Sequence, residues 1–249
     1  MGKNQIHHRD HGHGHDHHLH AHGHNHRPGA QRGCISLVPI FNHLEDDQMD
    51  EIMKAIKSVS FKKGEIIYRA GDQSDSLYIV SQGKIRIYRL SESGKEQLVR
   101  ILTPGDFTGE LALFSESIHE SYAETIEETM VCTITRRDLQ EFLTKFPSIS
   151  LKIMAEFSKR LEASEKQTAR FATEKVETRI ALFLTELIEE AKPEMEVVLP
   201  MSKKDLASYL GTTPETISRK LTEFEEAGYI KQMARRRIRI LDLEGLFLT

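Results

Sequence analysis

The chain has little of what secreted, disulfide-rich or membrane proteins need. Two of its 249 residues are cysteine, which argues against a small secreted scaffold held by several disulfides. No apolar run approaches the roughly 18–20 residues that a membrane-spanning helix requires. The N-terminal residues also lack the apolar core of an export signal. We therefore expect a globular, cytoplasmic protein that does not associate with membranes.

The chain also has no excess of positive charge and no enzyme signature. Lysine and arginine number 34 against 38 aspartates and glutamates, giving a net charge of −4. This balance argues against general nucleic-acid binding but allows a local basic surface. The sequence contains no P-loop, no dinucleotide-binding fingerprint and no convincing set of nucleophile, base and orienting residue. We do not expect an enzyme.

Histidine is concentrated near the N-terminus, where 11 of the 13 histidines lie within residues 7–26. Because this stretch has almost no apolar side chains, we expect residues 1–33 to be disordered. Neutral imidazoles bind divalent Zn, Ni or Cu, which suggests an alternative function in metal binding or metal response. A solvated tail or an expression tag explains the same composition. The candidate ligands are His11, His13, His15, His17, His18, His20, His22, His24 and His26.

Short strand-like segments dominate residues 34–146. Each is apolar or alternating, and glycine-containing turns separate them at regular intervals. This pattern predicts an antiparallel β-roll, a cupin-like jelly roll, as the first domain of an α+β protein. A plain β-sandwich without a ligand fits the same spacing. The segments are Glu65–Tyr68, Leu77–Val80, Ile85–Tyr88 and Leu98–Leu102.

Residues 147–173 predict one long helix with a heptad seam. Its seam positions follow one another at spacings of 3, 4, 3, 4 and 3, the geometry of a two-stranded coiled coil. A dimerisation helix and a helix packed on its own β-roll both fit this pattern. The predicted dimer contacts are Met154, Phe157, Leu161, Ser164, Thr168 and Phe171.

Residues 174–249 predict a winged helix-turn-helix. Ser202 is placed to cap one helix, Gly211 to form a tight turn, and Thr213 with Pro214 to begin a second helix. In this motif the second helix enters the major groove of DNA, while an arginine-rich hairpin contacts phosphates. A protein-binding winged helix and a buried helix pair with a solvated arginine loop are the alternatives. The residues expected at double-stranded DNA are Ser202, Thr213, Pro214, Glu215, Thr216, Ser218, Arg219, Arg235, Arg236 and Arg237.

Several of these segments resemble the CRP/FNR superfamily of transcription regulators over about residues 34–249. Gly71-Asp72 and Tyr78-Ile79-Val80 resemble its β-roll, Phe107–Phe114 resembles the start of its phosphate-binding cassette, and Glu215–Arg219 resembles the FNR-branch recognition helix. The resemblance implies a homodimer that contacts RNA polymerase and reads a palindrome of TTGAT-type half-sites. It assigns Arg219 to guanine O6 and N7, Glu215 to cytosine N4, and Ser218 to a neighbouring base edge.

The resemblance also constrains the signal. The cyclic-nucleotide branch has an Arg-Ser pair where this chain has Glu120-Ser121, and a carboxylate there repels a phosphate, so we do not expect cyclic AMP. Two cysteines are too few for an all-cysteine [4Fe–4S] cluster. Two-cysteine relatives instead imply redox switching through a disulfide between Cys34 and Cys132. Unpaired thiols and a mixed Cys/His metal site at Cys34 are the alternatives.

Overall fold

The computed structural model describes residues 36–113, 117–188 and 195–248. The predicted tail, residues 1–33, and Cys34 lie outside these ranges. The helices are α1 Asp46–Ala55, α2 Arg136–Lys145, α3 Ser148–Thr173, α4 Val176–Glu186, α5 Lys203–Tyr209, α6 Pro214–Glu226 and α7 Leu243–Phe247. The strands are β1 Lys57–Phe61, β2 Ile66–Tyr68, β3 Gln73–Ser74, β4 Ser76–Gln82, β5 Ile85–Leu90, β6 Glu96–Leu102, β7 Phe107–Thr108, β8 Ser117–Ile118, β9 Tyr122–Thr125, β10 Thr129–Thr135, β11 Glu196–Val198, β12 Ile230–Gln232 and β13 Arg237–Ile240.

The first ten strands form the expected antiparallel β-roll. One sheet has the order β1-β10-β4-β7, a second has the order β2-β9-β5-β6, and β3 pairs with β8. A short 3₁₀ helix, Glu110–Leu113, follows β7. The α+β class and the β-roll predicted from the sequence are therefore confirmed.

Strand β10 buries side chains on both of its faces. Val131 belongs to the core between the two sheets, whereas Cys132 belongs to the core between the sheet and the helices. The register shifts between Met130 and Val131, as at a β-bulge. Cys132 shares its cluster with Ile40 and with Ile149 of α3, so one core joins the start of the described chain to the long helix.

Helix α3 extends from the β-roll toward the C-terminal domain. Ile149 and Ile153 in its first turns are buried against the β-roll, with 0% and 1% of their surfaces exposed. Beyond them most side chains are exposed, because the helix leaves the core of its own domain. Among the described residues, no helix is long and apolar enough to cross a membrane.

The C-terminal domain has the predicted winged helix-turn-helix architecture. Helices α4, α5 and α6 pack on a three-stranded sheet of order β11-β13-β12. Gly211 joins α5 to α6 with a φ of +67°, a left-handed conformation that favours glycine. A Cβ at this position would lie 3.2 Å from the ring of Phe171, so the turn is closely packed against α3.

Candidate nucleic-acid interface and sensor cavity

Helix α6 has a defined start and an amphipathic pattern. Thr213 Oγ1 accepts a hydrogen bond from the Thr216 backbone N–H at 3.2 Å, and Pro214 lies in the first turn. Both features satisfy or remove backbone donors that have no partner within the helix. The buried side chains of α6 are Ile217, Leu221 and Phe224.

The opposite face of α6 presents the predicted base-reading residues. Glu215, Ser218 and Arg219 lie at i, i+3 and i+4 spacing, which places them on one side of the helix. Glu215 is exposed and the Arg219 side chain is 68% exposed. Arg219 Nε lies 3.7 Å from Glu223 Oε1, and such an exposed pair contributes at most about 1 kcal/mol. The guanidinium is therefore available to a partner outside the protein.

Ser202 acts as the N-cap of α5. Its Oγ accepts a hydrogen bond from the Asp205 backbone N–H at 3.1 Å and donates one to Asp205 Oδ2 at 2.6 Å. These bonds use the hydroxyl as both acceptor and donor within the protein. The structure accounts for Ser202 as a cap, and its contact with DNA stays a prediction.

The wing is an exposed turn between β12 and β13. Arg235 and Arg236 have φ values of 59° and 63°, and the Arg237 N–H donates to Ala234 O at 3.4 Å. Turns with two left-handed central residues usually contain glycine or asparagine. Arg237 NH1 also lies 3.4 Å from Glu196 Oε1, a partner that the sequence analysis missed. Part of the wing's positive charge is therefore compensated locally.

A cavity of about 350 Å³ lies in the β-roll beside the predicted phosphate cassette. Glu110 lines it, and its Oε1 accepts hydrogen bonds from Arg100 NH2 at 3.0 Å and from Arg160 NH1 at 2.8 Å. Burial alone raises the pKa of Glu110, but the charges of Arg100 and Arg160 outweigh burial and hold that pKa below its ordinary value. Arg160 belongs to α3, so the cassette is linked directly to the long helix.

Glu120 lines the same cavity, and its carboxylate is not unpaired. Its carboxylate pairs with Arg89 NH2 at 2.5 Å, and Arg89 also lines the cavity. The repulsion between Glu120 and a phosphate is therefore weaker than for an unpaired carboxylate. The absence of cyclic AMP binding stays a prediction.

His119 is a residue of this cavity that sequence reasoning missed. The residue is 6% exposed, and its ring stacks on that of Tyr68 with centroids 3.7 Å apart. Its Nε2 has no hydrogen-bond partner within the part of the chain that the structure describes. Burial lowers the pKa of His119, although Asp72, Asp75 and Glu110 act in the opposite direction. No local sequence pattern indicates this contact, because His119 and Tyr68 lie far apart in the chain.

Cys132 is buried in strand β10, with 1% of its surface exposed. Its sulfur also lies 3.6 Å from Ser58 Oγ on the neighbouring strand β1. The chain has one other cysteine, Cys34, which lies outside the described residues. The pairing of Cys34 with Cys132 and its response to redox conditions stay predictions.

The predicted dimer seam divides between two faces of α3. Met154 and Leu161 are 54% and 61% exposed, and their contact with a partner helix stays a prediction. Phe157 instead packs against the core of its own β-roll. Leu151, which the heptad prediction omitted, is 65% exposed beside Met154. The remaining seam positions, Ser164, Thr168 and Phe171, are exposed.

The histidines proposed as metal ligands, residues 11–26, lie outside the described ranges. Within those ranges, no group of three or more His, Cys, Asp or Glu side chains is arranged to hold a metal ion. The metal-responsive alternative therefore stays a prediction about the tail.

Known protein families match both halves of the chain. The family described as cyclic nucleotide-binding domain matches residues 58–146, and the Crp-like helix-turn-helix domain matches residues 178–247. The probable transcriptional regulator flp of Lacticaseibacillus casei is 34% identical over 213 residues, which cover 86% of this chain and 96% of that protein. The nitrogen fixation regulation protein FixK of Rhizobium meliloti is 38% identical over 187 residues, covering 75% and 84%.

Solved structures agree with these matches. The structure of FixK2 from Bradyrhizobium japonicum is 28% identical, with a TM-score of 0.66, and the similarity covers 77% of this chain and 95% of that one. The similarity therefore extends across both the β-roll and the helix-turn-helix domain.

Proposed function

Because the chain belongs to the CRP/FNR family of DNA-binding transcription regulators, a family without enzymatic activity, we propose that it reads a palindromic FNR-type site as a homodimer. The observation that carries this proposal is the outward face of α6, where Glu215 and Arg219 are exposed above a buried apolar face. We propose that the protein works in the cytoplasm and contacts RNA polymerase there.

Base reading follows from the chemistry of that face. Arg219 donates two hydrogen bonds to guanine O6 and N7, Glu215 accepts one from cytosine N4, and Ser218 contacts a neighbouring base. Arg235 and Arg236 at the exposed wing attract phosphates without reading sequence. Two copies of α6 related by a twofold axis would meet half-sites about one helical turn, roughly 34 Å, apart.

Dimerisation through α3 supplies that twofold axis. Leu151, Met154 and Leu161 are large apolar side chains left exposed on one stripe of the helix. A second α3 packed along this stripe would bury them, as in a two-stranded coiled coil.

The DNA-binding proposal is tested by titrating a labelled duplex with inverted TTGAT half-sites at physiological salt. We expect at least about 1,000-fold tighter binding than to the same duplex with both half-sites scrambled. Two chains should bind per duplex. Equal affinity for both duplexes would show that α6 does not read sequence.

We also propose that the redox state of the cysteines modulates this binding. Cys132 lies in the core cluster that contains Ile149 and Ile153 of α3, so a change in packing around its sulfur reaches the base of the dimerisation helix. Phe41 belongs to the same cluster, seven residues after Cys34 in the sequence. A disulfide between Cys34 and Cys132 would tie the N-terminal segment to this core.

The redox proposal is tested by comparing DNA affinity in oxidised and reduced protein. We expect a difference in the wild type that disappears in Cys132→Ser and Cys34→Ser. Ser58→Ala, which removes the hydroxyl 3.6 Å from the Cys132 sulfur, is the matched control and should keep the difference. A response to oxidant that persists in either cysteine variant would contradict the thiol pair.

A further inference from the structure

The edge of one β-roll sheet is occupied by a helix of the C-terminal domain. Strand β6 is the last strand in the order β2-β9-β5-β6, so along its outer side no further strand of the described residues pairs with it. Such an edge presents backbone N–H and C=O groups that need partners. Ser208 of α5 is the partner of two of these groups. Its Oγ accepts a hydrogen bond from the Leu98 N–H at 2.7 Å and donates one to Glu96 O at 2.8 Å.

Polar contacts on either side of Ser208 strengthen this attachment. Gln97 Nε2 donates to the Ser208 backbone O at 2.6 Å. Arg86 of β5 lies 3.6 Å from Asp205 of α5 and also pairs with Glu96 on β6 at 2.9 Å. The contact thus includes hydrogen bonds and charges from both domains, and hydrogen bonds depend on direction as well as distance.

An apolar layer beneath these contacts is shared by the two domains. Tyr88 and Leu98 of the β-roll are 7% and 2% exposed and belong to the same buried cluster as Leu206 and Leu210 around α5. The core of the C-terminal domain therefore continues into the β-roll. Apolar packing holds the domains together, while the Ser208 hydrogen bonds fix the orientation in which they meet.

We propose that Ser208 is a positioning residue that selects the spacing between the two half-sites on DNA. Helix α6 begins at Pro214, immediately after the turn that follows α5, so a tilt of α5 moves the base-reading face. In a dimer the separation of the two α6 helices depends on this orientation. The inference rests on the proposed function, since it concerns how the dimer meets a palindrome.

The experiment measures binding to duplexes that share both half-sites but differ by one or two base pairs in the spacer. Wild type should strongly prefer one spacer. In Ser208→Ala the ratio of affinities between the best and the next spacer should fall about fivefold, the equivalent of one net hydrogen bond. Discrimination between correct and mutated half-sites should not change, because Ser208 is not assigned to a base.

Gln97→Ala tests the same contact from the β-roll and decides the question if Ser208→Ala does not fold. It should lower the spacer ratio in the same direction. Gln82→Ala, at the exposed end of β4, is the matched control and should leave the ratio unchanged. An unchanged ratio in folded Ser208→Ala or, failing that, in Gln97→Ala overturns the inference, as does wild-type binding without any spacer preference. Absence of binding to every palindrome overturns the proposed function as well.

Discussion

Helix α6 and the cavity of the β-roll hold their charged side chains in opposite ways. On α6, the Arg219 side chain is 68% exposed and its contact with Glu223 is long, at 3.7 Å. In the cavity, the Glu110 side chain is 18% exposed and accepts hydrogen bonds from two arginines. One site leaves its charges accessible to solvent, whereas the other satisfies them within the chain. The pair between Glu110 and Arg160 thereby joins the cassette to α3.

The largest expected effect separates the buried face of α6 from its exposed face. Leu221→Ala removes a side chain with 0% exposure and should lower the free energy of unfolding by about 2–5 kcal/mol. Thr222→Ala, on the exposed side, should change it by less than about 0.5 kcal/mol. Urea unfolding measures both. Equal changes in the free energy of unfolding would show that the apolar face of α6 does not stabilise the fold.

A smaller effect tests the internal pairing in the cavity. Glu110→Gln leaves Arg100 and Arg160 without their carboxylate and should cost about 2 kcal/mol of unfolding free energy. Glu141→Gln breaks an exposed pair with Arg137, whose side chains are 66% and 88% exposed, and should cost at most about 0.5 kcal/mol. An equal loss of unfolding free energy in the two variants would show that the pairing of Glu110 with Arg100 and Arg160 does not stabilise the fold more than an exposed pair does.

One substitution in the wing should have two opposite effects, a gain in folding stability of up to about 1 kcal/mol and a loss of DNA affinity. Arg236→Gly removes the strain of a left-handed arginine, with φ of 63°, and should stabilise the fold by up to about 1 kcal/mol. It should also weaken binding to all DNA sequences and reduce the salt slope by about 1. Arg236→Lys keeps both the charge and the strain and should change neither property. Unfolding and salt titrations distinguish these outcomes.

The smallest expected effect is a pH dependence from the cavity. Burial lowers the pKa of His119 in the folded protein below the value of 6.5 in the unfolded chain. Its contribution to stability is therefore present above pH 6.5 and is lost as the pH falls through the folded pKa. Thermal unfolding between pH 7.5 and 5 should show a smaller loss of stability in His119→Phe, which keeps a ring against Tyr68. An identical pH profile would contradict this role.

The two regions also differ in how much of them the sequence predicts. The caps, turn and buried face of α5 and α6 follow from local spacing, since Ser202 to Phe224 is one short stretch. The cavity depends on pairs distant in sequence: Glu110 and Arg160 are 50 positions apart, and Arg89 and Glu120 are 31 apart. No local pattern relates such residues.

Helix α3 shows a different limit on prediction from sequence. A heptad pattern identifies apolar positions but cannot tell a partner helix from the chain's own core, because both bury the same kind of side chain. Phe157 fits the heptad seam and also packs on the β-roll, so its contact with a partner helix stays a prediction. Leu151 is exposed, although the heptad pattern did not include it. The wing shows the same limit as the cavity. Glu196 neutralises part of the positive charge of the wing, but it lies 41 positions from Arg237 in the sequence.

The most direct test of the central claim is the affinity of wild type and Arg219→Ala for two duplexes that differ only at the guanine of each half-site. We predict that Arg219→Ala loses about 1–3 kcal/mol on the cognate duplex and no longer discriminates between the two. Arg137→Ala, an exposed arginine on the β-roll, serves as the control and should bind like wild type. Cognate binding by Arg219→Ala that matches wild type, with discrimination intact, would contradict the account.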